Sequence, residues 1–319
     1  YLSSSDFAGN YQIPGTMNNA NLRPEIVSSW EVGLDLRMFR NRLGVDLAYY
    51  NNTSKDLIVN MPVSSASGVT KRFANAGTIR NYGWELQING TLVKTRDVQW
   101  KVYVNWSKNR NEVVDLGEGV DSWIVASYSS HAYMTAYKGG SLSAMYGLGY
   151  KRAPEGAYIV EKDGSITNVS GQIIVDENGY PQYSDELQYI GECTPDWKGG
   201  FGTSVKWKGL TVSVAFDGQH GGNVYSYTNA VLGTRGKGSF TLAGRYDGLV
   251  LDGVNQLPDG NFIRNTHKTA DIVEYYGLAY AFQNCEQNFV STEFLKLREI
   301  RIAYEFPRQL LARSKFIKG

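Results

Sequence analysis

The sequence predicts an all-β fold, an antiparallel transmembrane β-barrel, to which this chain would supply roughly eight to ten strands of a larger closed barrel. Three observations predict it. Apolar and polar residues alternate with a period of two along several segments. Aromatic residues and glycine are abundant, while proline is scarce. The links between alternating segments are short and long in turn, which is the arrangement of outer-membrane barrels.

Composition narrows the function classes. The 319 residues include 22 Tyr, 12 Phe, 7 Trp and 35 Gly, against 8 Pro. Charged residues make up 20% and the net charge is +1, so we expect no nucleic-acid partner. No apolar run reaches the length of a membrane-spanning helix, which excludes a helical membrane protein but not a barrel.

Cysteine and histidine give no sign of a metal or a cofactor. The two cysteines, Cys193 and Cys285, are widely spaced, and the three histidines lack metal-ligand spacing. We therefore predict no metal site and no cofactor. We also expect the two cysteines to lie at opposite ends of the barrel, too far apart for a disulfide.

The clearest hairpin lies at 30–49. Apolar residues from Trp30 to Met38 alternate with polar or small ones, a short link follows at 39–42, and alternation resumes from Leu43 to Tyr49. Two further hairpins have links at 94–97 and 208–209, and a late strand runs from about Phe294 to Phe306. The residues predicted to face lipid on these strands are Val32, Leu34, Leu36, Val45, Leu47, Leu86, Ile88, Val102, Val104, Val212 and Val214.

Two points stay open. If 142–152 is a wall strand, a further strand must lie within 111–195, at Trp123–Tyr128 or at Gln172–Val175. The late strand changes phase near Arg298-Glu299. Either a β-bulge lies there, or the first part of the strand stands above the membrane and faces the lumen.

Four segments resemble the SusC/RagA family of TonB-dependent outer-membrane transporters. They are LRPEIVSSWEVGLDLRMFRNRLGVDLAYYNNTSKDLI (22–58), NAGTIRNYGWELQINGTLVKTRDVQWKVYVNWSKNRNEVVDL (75–116), IGECTPDWKGGFGTSVKWKGLTVSVAFDGQHGGNVYS (190–226) and FLKLREIRIAYEFPRQLL (294–311). Four blocks in the family's order are a strong signal, whereas each alone is weak. The last block resembles a late barrel strand with its periplasmic turn.

The resemblance implies location, partners and function. It implies uptake of glycan oligosaccharides or oligopeptides across the bacterial outer membrane, with a SusD-like lipoprotein as a lid and the TonB complex as the energy source. Nothing in 1–319 resembles the family's plug domain, so we expect one partial barrel domain that needs the rest of its own barrel, its plug and membrane lipid. The alternatives are a lidless outer-membrane receptor or porin, and a soluble carbohydrate-binding β-sandwich.

The candidate site residues fall into two groups, and neither is catalytic. A carboxylate pair on a strand could serve a glycosidase, but acids that recur at every polar position indicate a solvated wall. The residues expected to line the lumen are Glu31, Asp35, Arg37, Asp46, Glu85, Gln87 and Lys101. The residues expected to contact substrate or lid, in long loops at 120–137 and 217–246, are Trp123, Tyr128, Tyr133, Tyr137, Asp217, Gln219, Tyr225, Tyr227, Arg235 and Tyr246.

Overall fold

A computed structural model of the chain describes residues 3–4, 11–12, 15–117, 119–129 and 132–307. The turn predicted at the end of the fourth family-like block, beyond Pro307, lies outside the described residues. Among those residues, no helix is both long and apolar enough to cross a bilayer.

Strands dominate the described residues. In chain order they are β1 (Ser3–Ser4), β2 (Tyr11–Gln12), β3 (Thr16–Met17), β4 (Ile26–Met38), β5 (Leu43–Lys55), β6 (Ile58–Pro62), β7 (Lys71–Asn75), β8 (Thr78–Lys94), β9 (Val98–Asp115), β10 (Ser122–Ser129), β11 (Ala132–Tyr137), β12 (Ala144–Gly147), β13 (Tyr158–Val160), β14 (Ile166–Asn168), β15 (Gln188–Glu192), β16 (Trp197–Trp207), β17 (Leu210–His220), β18 (Asn223–Tyr225), β19 (Val254–Gln256), β20 (Phe262–Arg264), β21 (Phe289–Ser291) and β22 (Phe294–Tyr304). The helices are α1 (Tyr227–Thr234), α2 (Ile272–Ala279) and α3 (Cys285–Asn288), with 3₁₀ turns at Ser65–Ser67 and Ser239–Leu242.

Seven long strands form one sheet, here called the wall. Its order is β4-β5-β8-β9-β16-β17-β22, and every neighbouring pair is antiparallel. These strands form because each carries the period-two alternation, with β-branched and aromatic residues at the apolar positions. The antiparallel β fold predicted from the sequence is therefore confirmed.

The short turns all join wall strands at the same end of the sheet, here called the short-turn edge. Phe39, Arg40 and Asn41 between β4 and β5 all have positive φ, and the Arg42 amide donates to the Met38 carbonyl over 3.1 Å. The β16–β17 link is only Lys208-Gly209, with φ of 46° and 97°. A two-residue loop with both φ values positive matches the right-handed twist of the flanking strands.

All the long connections leave from the opposite end of the strands, here called the long-connection edge. Because successive wall strands are antiparallel, segments 56–77, 116–196 and 221–293 must lie on the same side. The predicted alternation of short and long links is confirmed.

The extra wall strand expected within 111–195 is wrong. Strand β9 pairs directly with β16, as in the Val104–Phe201 register pair, so nothing is inserted between them. Segment 142–152 contributes the short strand β12 to a separate sheet instead. The wall therefore has seven described strands, where the sequence estimate of eight to ten included that insertion.

A β-bulge at Arg298 explains the change of phase in β22. Ala215 pairs with Glu299 and Phe216 with Leu297, so Arg298 has no partner residue in β17. The extra residue restores the phase, and Leu297 and Ile300 lie on the same face of the sheet. The bulge alternative is confirmed, and the lumen-facing alternative for the start of β22 is wrong.

The wall has one apolar face, which carries the residues predicted to face lipid. On the two outermost strands the side chains of Val32 and Ile302 are 64% and 72% exposed. Toward the long-connection edge this face carries Tyr49, whose ring packs on Trp84 with centroids 4.7 Å apart. Toward the short-turn edge it carries the exposed ring of Trp207. Aromatic rows therefore lie at both ends of an apolar band.

The spacing of the aromatic rows matches a membrane. Strand β16 is 11 residues long, begins at Trp197 and ends at Trp207, and both rings lie on the apolar face. Ten steps of about 3.3 Å give about 33 Å along the strand. With a tilt of about 40° that length spans about 25 Å along the membrane normal, the height of the apolar band in outer-membrane barrels.

Segments 116–196 and 221–293 fold together into a body here called the cap. Strands β10-β11-β12-β15 form its largest sheet, the cap sheet, and hairpins β13–β14 and β19–β20 share one apolar core. That core joins residues distant in sequence, for example Ile174 and Val254. A salt bridge between Arg152 and Glu286 also joins the two segments.

The position of Cys193 corrects one expectation. Cys193 is a free, half-buried thiol, and it packs against the same buried cluster of Ala132, Met145 and Tyr225 as Phe289 does. Phe289 follows directly after α3, which begins at Cys285. The two cysteines therefore lie in the same body, and their predicted placement at opposite ends of the barrel is wrong because segment 116–196 folds wholly on the long-connection edge.

Candidate binding site at the mouth of the wall

The face of the wall opposite the apolar one is polar. Strand register places all seven residues expected to line the lumen on this polar face; they are Glu31, Asp35, Arg37, Asp46, Glu85, Gln87 and Lys101. An open cavity of about 850 Å³ lies against it, bordered by Asp35, Asp46, Glu85 and Gln87. The polar face is therefore the concave one.

Ion pairs balance much of the charge on the polar face. The guanidinium Nη1 of Arg37 lies 3.0 Å from the carboxylate of Asp35 and 3.2 Å from that of Asp46. The Arg298 guanidinium forms a two-pronged pair with Asp217, with Nη2 to Oδ2 at 2.9 Å. Because these groups are solvent-exposed and screened by water, each pair stabilises the wall only weakly. Their main effect is to fix where charge lies around the cavity.

Asp217 and Gln219 do not lie in a loop, as the sequence had suggested. Both belong to β17 and border the same cavity. The side-chain amide of Gln219 donates to the carbonyl and to the hydroxyl of Thr292, each over 2.8 Å. The strand is longer than expected because alternation continues through Asp217-Gly218-Gln219-His220.

Two of the aromatic residues expected to contact substrate or lid lie in the cap interior. Trp123 packs against the buried cluster of Val113, Leu116 and Ala136. Tyr225 is 8% exposed, and its hydroxyl donates to the Phe282 carbonyl over 2.7 Å. Contacts of this kind hold the cap together.

Other candidates lie on the cap surface. Tyr227 is exposed and stacks on Phe282 with ring centroids 4.9 Å apart. Tyr246 is 98% exposed, and Arg235 is exposed at the end of α1. Tyr128 stacks on Tyr225 at 6.3 Å and keeps an exposed edge. These side chains remain available to a ligand or a partner.

A row of tyrosines crosses the cap sheet, and we call it the tyrosine ladder. The ring of Tyr146 lies 5.0 Å from that of Tyr137 and 5.7 Å from that of Tyr189, edge-on in both cases. Tyr133 is the register partner of Tyr146. The Tyr189 hydroxyl donates to Glu192 over 3.3 Å.

Tyr133 and Tyr137 of this row are among the candidates predicted from the sequence, whereas Tyr146, Tyr189 and Glu192 are not. Tyr146 falls in 142–152, which was assigned to the wall. Tyr189 directly precedes the family-like block that starts at 190 and Glu192 lies within that block, so both fall outside the two loops considered. The alternation of Tyr189 and Gly191 could have indicated another strand, but no sequence signal pairs it with β12.

The cap interior also buries phenols. Burial raises the pKa of Tyr183 and of Tyr275 to about 12. The Tyr183 hydroxyl donates to the Leu278 carbonyl, which links segment 116–196 to α2. Both tyrosines are therefore neutral at physiological pH and pack in the cap interior. Within the described residues, no group of three or more His, Cys, Asp and Glu side chains could hold a metal ion.

Most of the chain matches the model of a known protein family. The model of the family described as "TonB dependent receptor-like, beta-barrel" matches residues 2–251. The chain belongs to this family. It is a family of outer-membrane receptors rather than enzymes, and membership removes the soluble β-sandwich as an alternative.

Individual relatives agree with that assignment. TonB-dependent receptor P3 of Formosa agariphila is 28% identical over 237 residues, which are 71% of this chain and 24% of the relative. TonB-dependent receptor SusC of Bacteroides thetaiotaomicron is 30% identical over 105 residues, 33% of this chain and 10% of SusC. The predicted resemblance to SusC is thereby confirmed.

A solved structure supports the fold over the whole chain. The RagAB peptide importer in its open-open state matches with a TM-score of 0.67 and 20% identity, covering 99% of this chain and 32% of the matched chain. The chain spans about a quarter of the P3 receptor and about a third of the matched RagAB chain.

Proposed function

We propose that this chain is the wall and cap portion of a SusC-type, TonB-dependent transporter in the bacterial outer membrane, which imports glycan oligosaccharides or oligopeptides. One observation carries the proposal. The seven-stranded wall has an apolar face with aromatic rows about 25 Å apart and a polar concave face that holds a large open cavity. A protein of this form can hold a hydrophilic solute inside a bilayer.

The cap supports import of a large solute rather than free diffusion. It is a folded body on the long-connection edge, which in outer-membrane barrels is the extracellular side. The described RagAB structures belong to a peptide importer, which makes peptides one candidate substrate class. The exposed tyrosines of the cap make glycans the other, because aromatic rings can pack on sugar rings.

The proposed partners follow from the family. A SusD-like lipoprotein would cover the cap, and the exposed side chains of Tyr128, Tyr227, Arg235 and Tyr246 are the proposed contacts for it or for substrate. The TonB complex would act through a plug. The edge strands β4 and β22 would pair with the remaining strands of the same barrel, because an open edge is not stable in lipid.

Fractionation and purification of the full-length protein test this proposal. We expect the protein in the outer-membrane fraction, soluble only with detergent, and a surface lipoprotein purifying with it. We also expect growth on its nutrient to stop when the gene is deleted or TonB is absent. A lidless receptor would purify without a lipoprotein, and a protein soluble without detergent would overturn the proposal altogether.

A further inference from the structure

The tyrosine ladder, formed by Tyr137, Tyr146 and Tyr189, lies on the exposed side of the cap sheet. The opposite side of the sheet is buried: Ala136 packs on Val113 of β9. Register places Val113 on the polar face of the wall, two residues beyond Asn111. Since this part of the buried side rests against the polar side of the wall, the tyrosine side of the sheet points away from the wall.

Hydrogen bonds connect the ladder to the wall. Asn111 Oδ1 accepts from the Ser141 hydroxyl over 3.0 Å, and the Ser141 hydroxyl oxygen accepts from the backbone amide of Ser143 over 3.1 Å. Ser143 donates to Glu192 Oε2 over 2.9 Å, and Glu192 Oε1 accepts from Tyr189. A continuous line of hydroxyl, amide and carboxylate groups therefore runs from the polar face of the wall up to the ladder.

The ladder is accessible. The side chains of Tyr137 and Tyr189 are 40% and 56% exposed. Tyr146 between them is partly buried, and the carboxylate of Glu192 remains part-exposed. The edge-on packing holds the rings in fixed orientations before any ligand arrives, which lowers the entropic cost of binding.

We propose that the tyrosine ladder and Glu192 form a substrate-binding surface in the mouth, and that it takes the pyranose rings of a neutral oligosaccharide. This inference rests on the proposed function. The faces of aromatic rings carry negative charge density and attract the C–H groups on the flat side of a sugar ring. A carboxylate already bonded to hydroxyl groups can accept further hydrogen bonds from sugar hydroxyls.

Sugar chemistry fits this surface better than peptide chemistry. Its polar groups are hydroxyls and one carboxylate. The hydroxyl groups of a sugar can accept hydrogen bonds from the former and donate them to the latter. Its apolar surface consists of ring faces and edges rather than a pocket that would enclose an amino-acid side chain. The partial burial of Tyr146 leaves two exposed rings, so we expect at least two sugar rings to bind.

The test uses the full-length transporter, purified in detergent with any lipoprotein that accompanies it. The probes are neutral hexasaccharides of defined linkage, from α-glucan, β-glucan, mannan and xylan, and in parallel a tryptic peptide mixture. The variants are Tyr189→Ala and Glu192→Gln. The matched control is Tyr158→Ala, because Tyr158 is a comparably exposed strand tyrosine in the hairpin β13–β14, outside the ladder.

We expect wild-type protein to bind at least one hexasaccharide and both variants to bind it about tenfold more weakly, the loss of one stacking or charged contact. Tyr158→Ala should stay within about twofold of wild type. Three results would overturn the inference: no hexasaccharide binds, the two variants bind as wild type does, or peptides bind in a Tyr189-dependent way. If any of these occurs in protein that fractionates with the outer membrane and purifies with a lipoprotein, only this inference fails and the transporter proposal stands.

Discussion

Replacing Val104 by arginine should destabilise the wall more than the same change at the end of β9 or on its polar face. Val104 lies on the apolar face, between Ile88 and Phe201 in register. Strand β9 crosses the aromatic row at the short-turn edge, here called the lower row, at Val98, the partner of Trp207. It crosses the row at the long-connection edge, the upper row, one residue beyond Ser107, the partner of Lys198. Val104 is therefore six residues above the lower row.

The expected magnitude follows from that depth. Six residues at about 3.3 Å with a tilt of about 40° place Val104 about 15 Å above the lower row, within about 3 Å of the middle of the band. Arginine on the lipid side costs about 2–4 kcal/mol at the midplane and about 0–1 kcal/mol near an interface. The folding equilibrium should fall about 30- to 700-fold for Val104→Arg.

Refolding of the full-length protein into lipid vesicles, followed by its heat-modifiable gel mobility across a urea series, measures this cost. Two controls on the same strand isolate depth and face. Val98→Arg places the charge at the lower row, and Asn105→Arg places it on the polar face beside the cavity. Both should lie within about 1 kcal/mol of wild type. Equal losses for Val104→Arg and Asn105→Arg would refute the assignment of the two faces.

Three further predictions address the turns and the cap. Gly209→Ala should lower the stability of the barrel by about 1–2 kcal/mol, because φ is 97° and a Cβ would lie 3.0 Å from the Glu305 carbonyl oxygen. The control Gly33→Ala should be nearly neutral, and equal melting temperatures for the two variants would contradict this. Burial raises the pKa of Tyr183 to about 12, so the contribution of this residue to cap stability should be complete below about pH 10 and lost as the pH rises through about 12. Tyr183→Phe should therefore remove a late step from an ultraviolet titration of the phenols, and an unchanged titration would count against the buried position. Burial also raises the pKa of the Cys193 thiol, so maleimide should label it slowly at neutral pH until urea opens the cap; labelling at the same rate in the folded protein would show that the site is open.

The wall could be predicted from the sequence because its information is local. Each strand carries its own alternation, and each short turn carries its own signal, as Lys208-Gly209 does. Even the phase change in β22 was visible as two incompatible alternations that meet at Arg298. Only the pairing partner, which shows the phase change to be a bulge, had to come from the structure.

The cap could not be predicted in the same way. Its strands are three to eight residues long, too short for a clear period, and two of its pairings, β12 with β15 and β18 with β21, join distant segments. The core contact of Ile174 with Val254 and the bridge of Arg152 to Glu286 depend on two separate segments meeting. For this reason Trp123 and Tyr225 looked like binding residues in the sequence, whereas the structure places both in packed clusters.

The cap's construction from two segments has a consequence for the order of assembly. Its contacts close loops as long as 137 residues, the separation of Tyr150 and Gln287, and such loops are slow to close in a free chain. Pairing of β9, β16, β17 and β22 brings the ends of both segments together first. We therefore expect the cap to fold last, after its chain has crossed the membrane. Surface protease added during biogenesis should then cut within 116–196 and 221–293 before it can cut either segment of the mature protein.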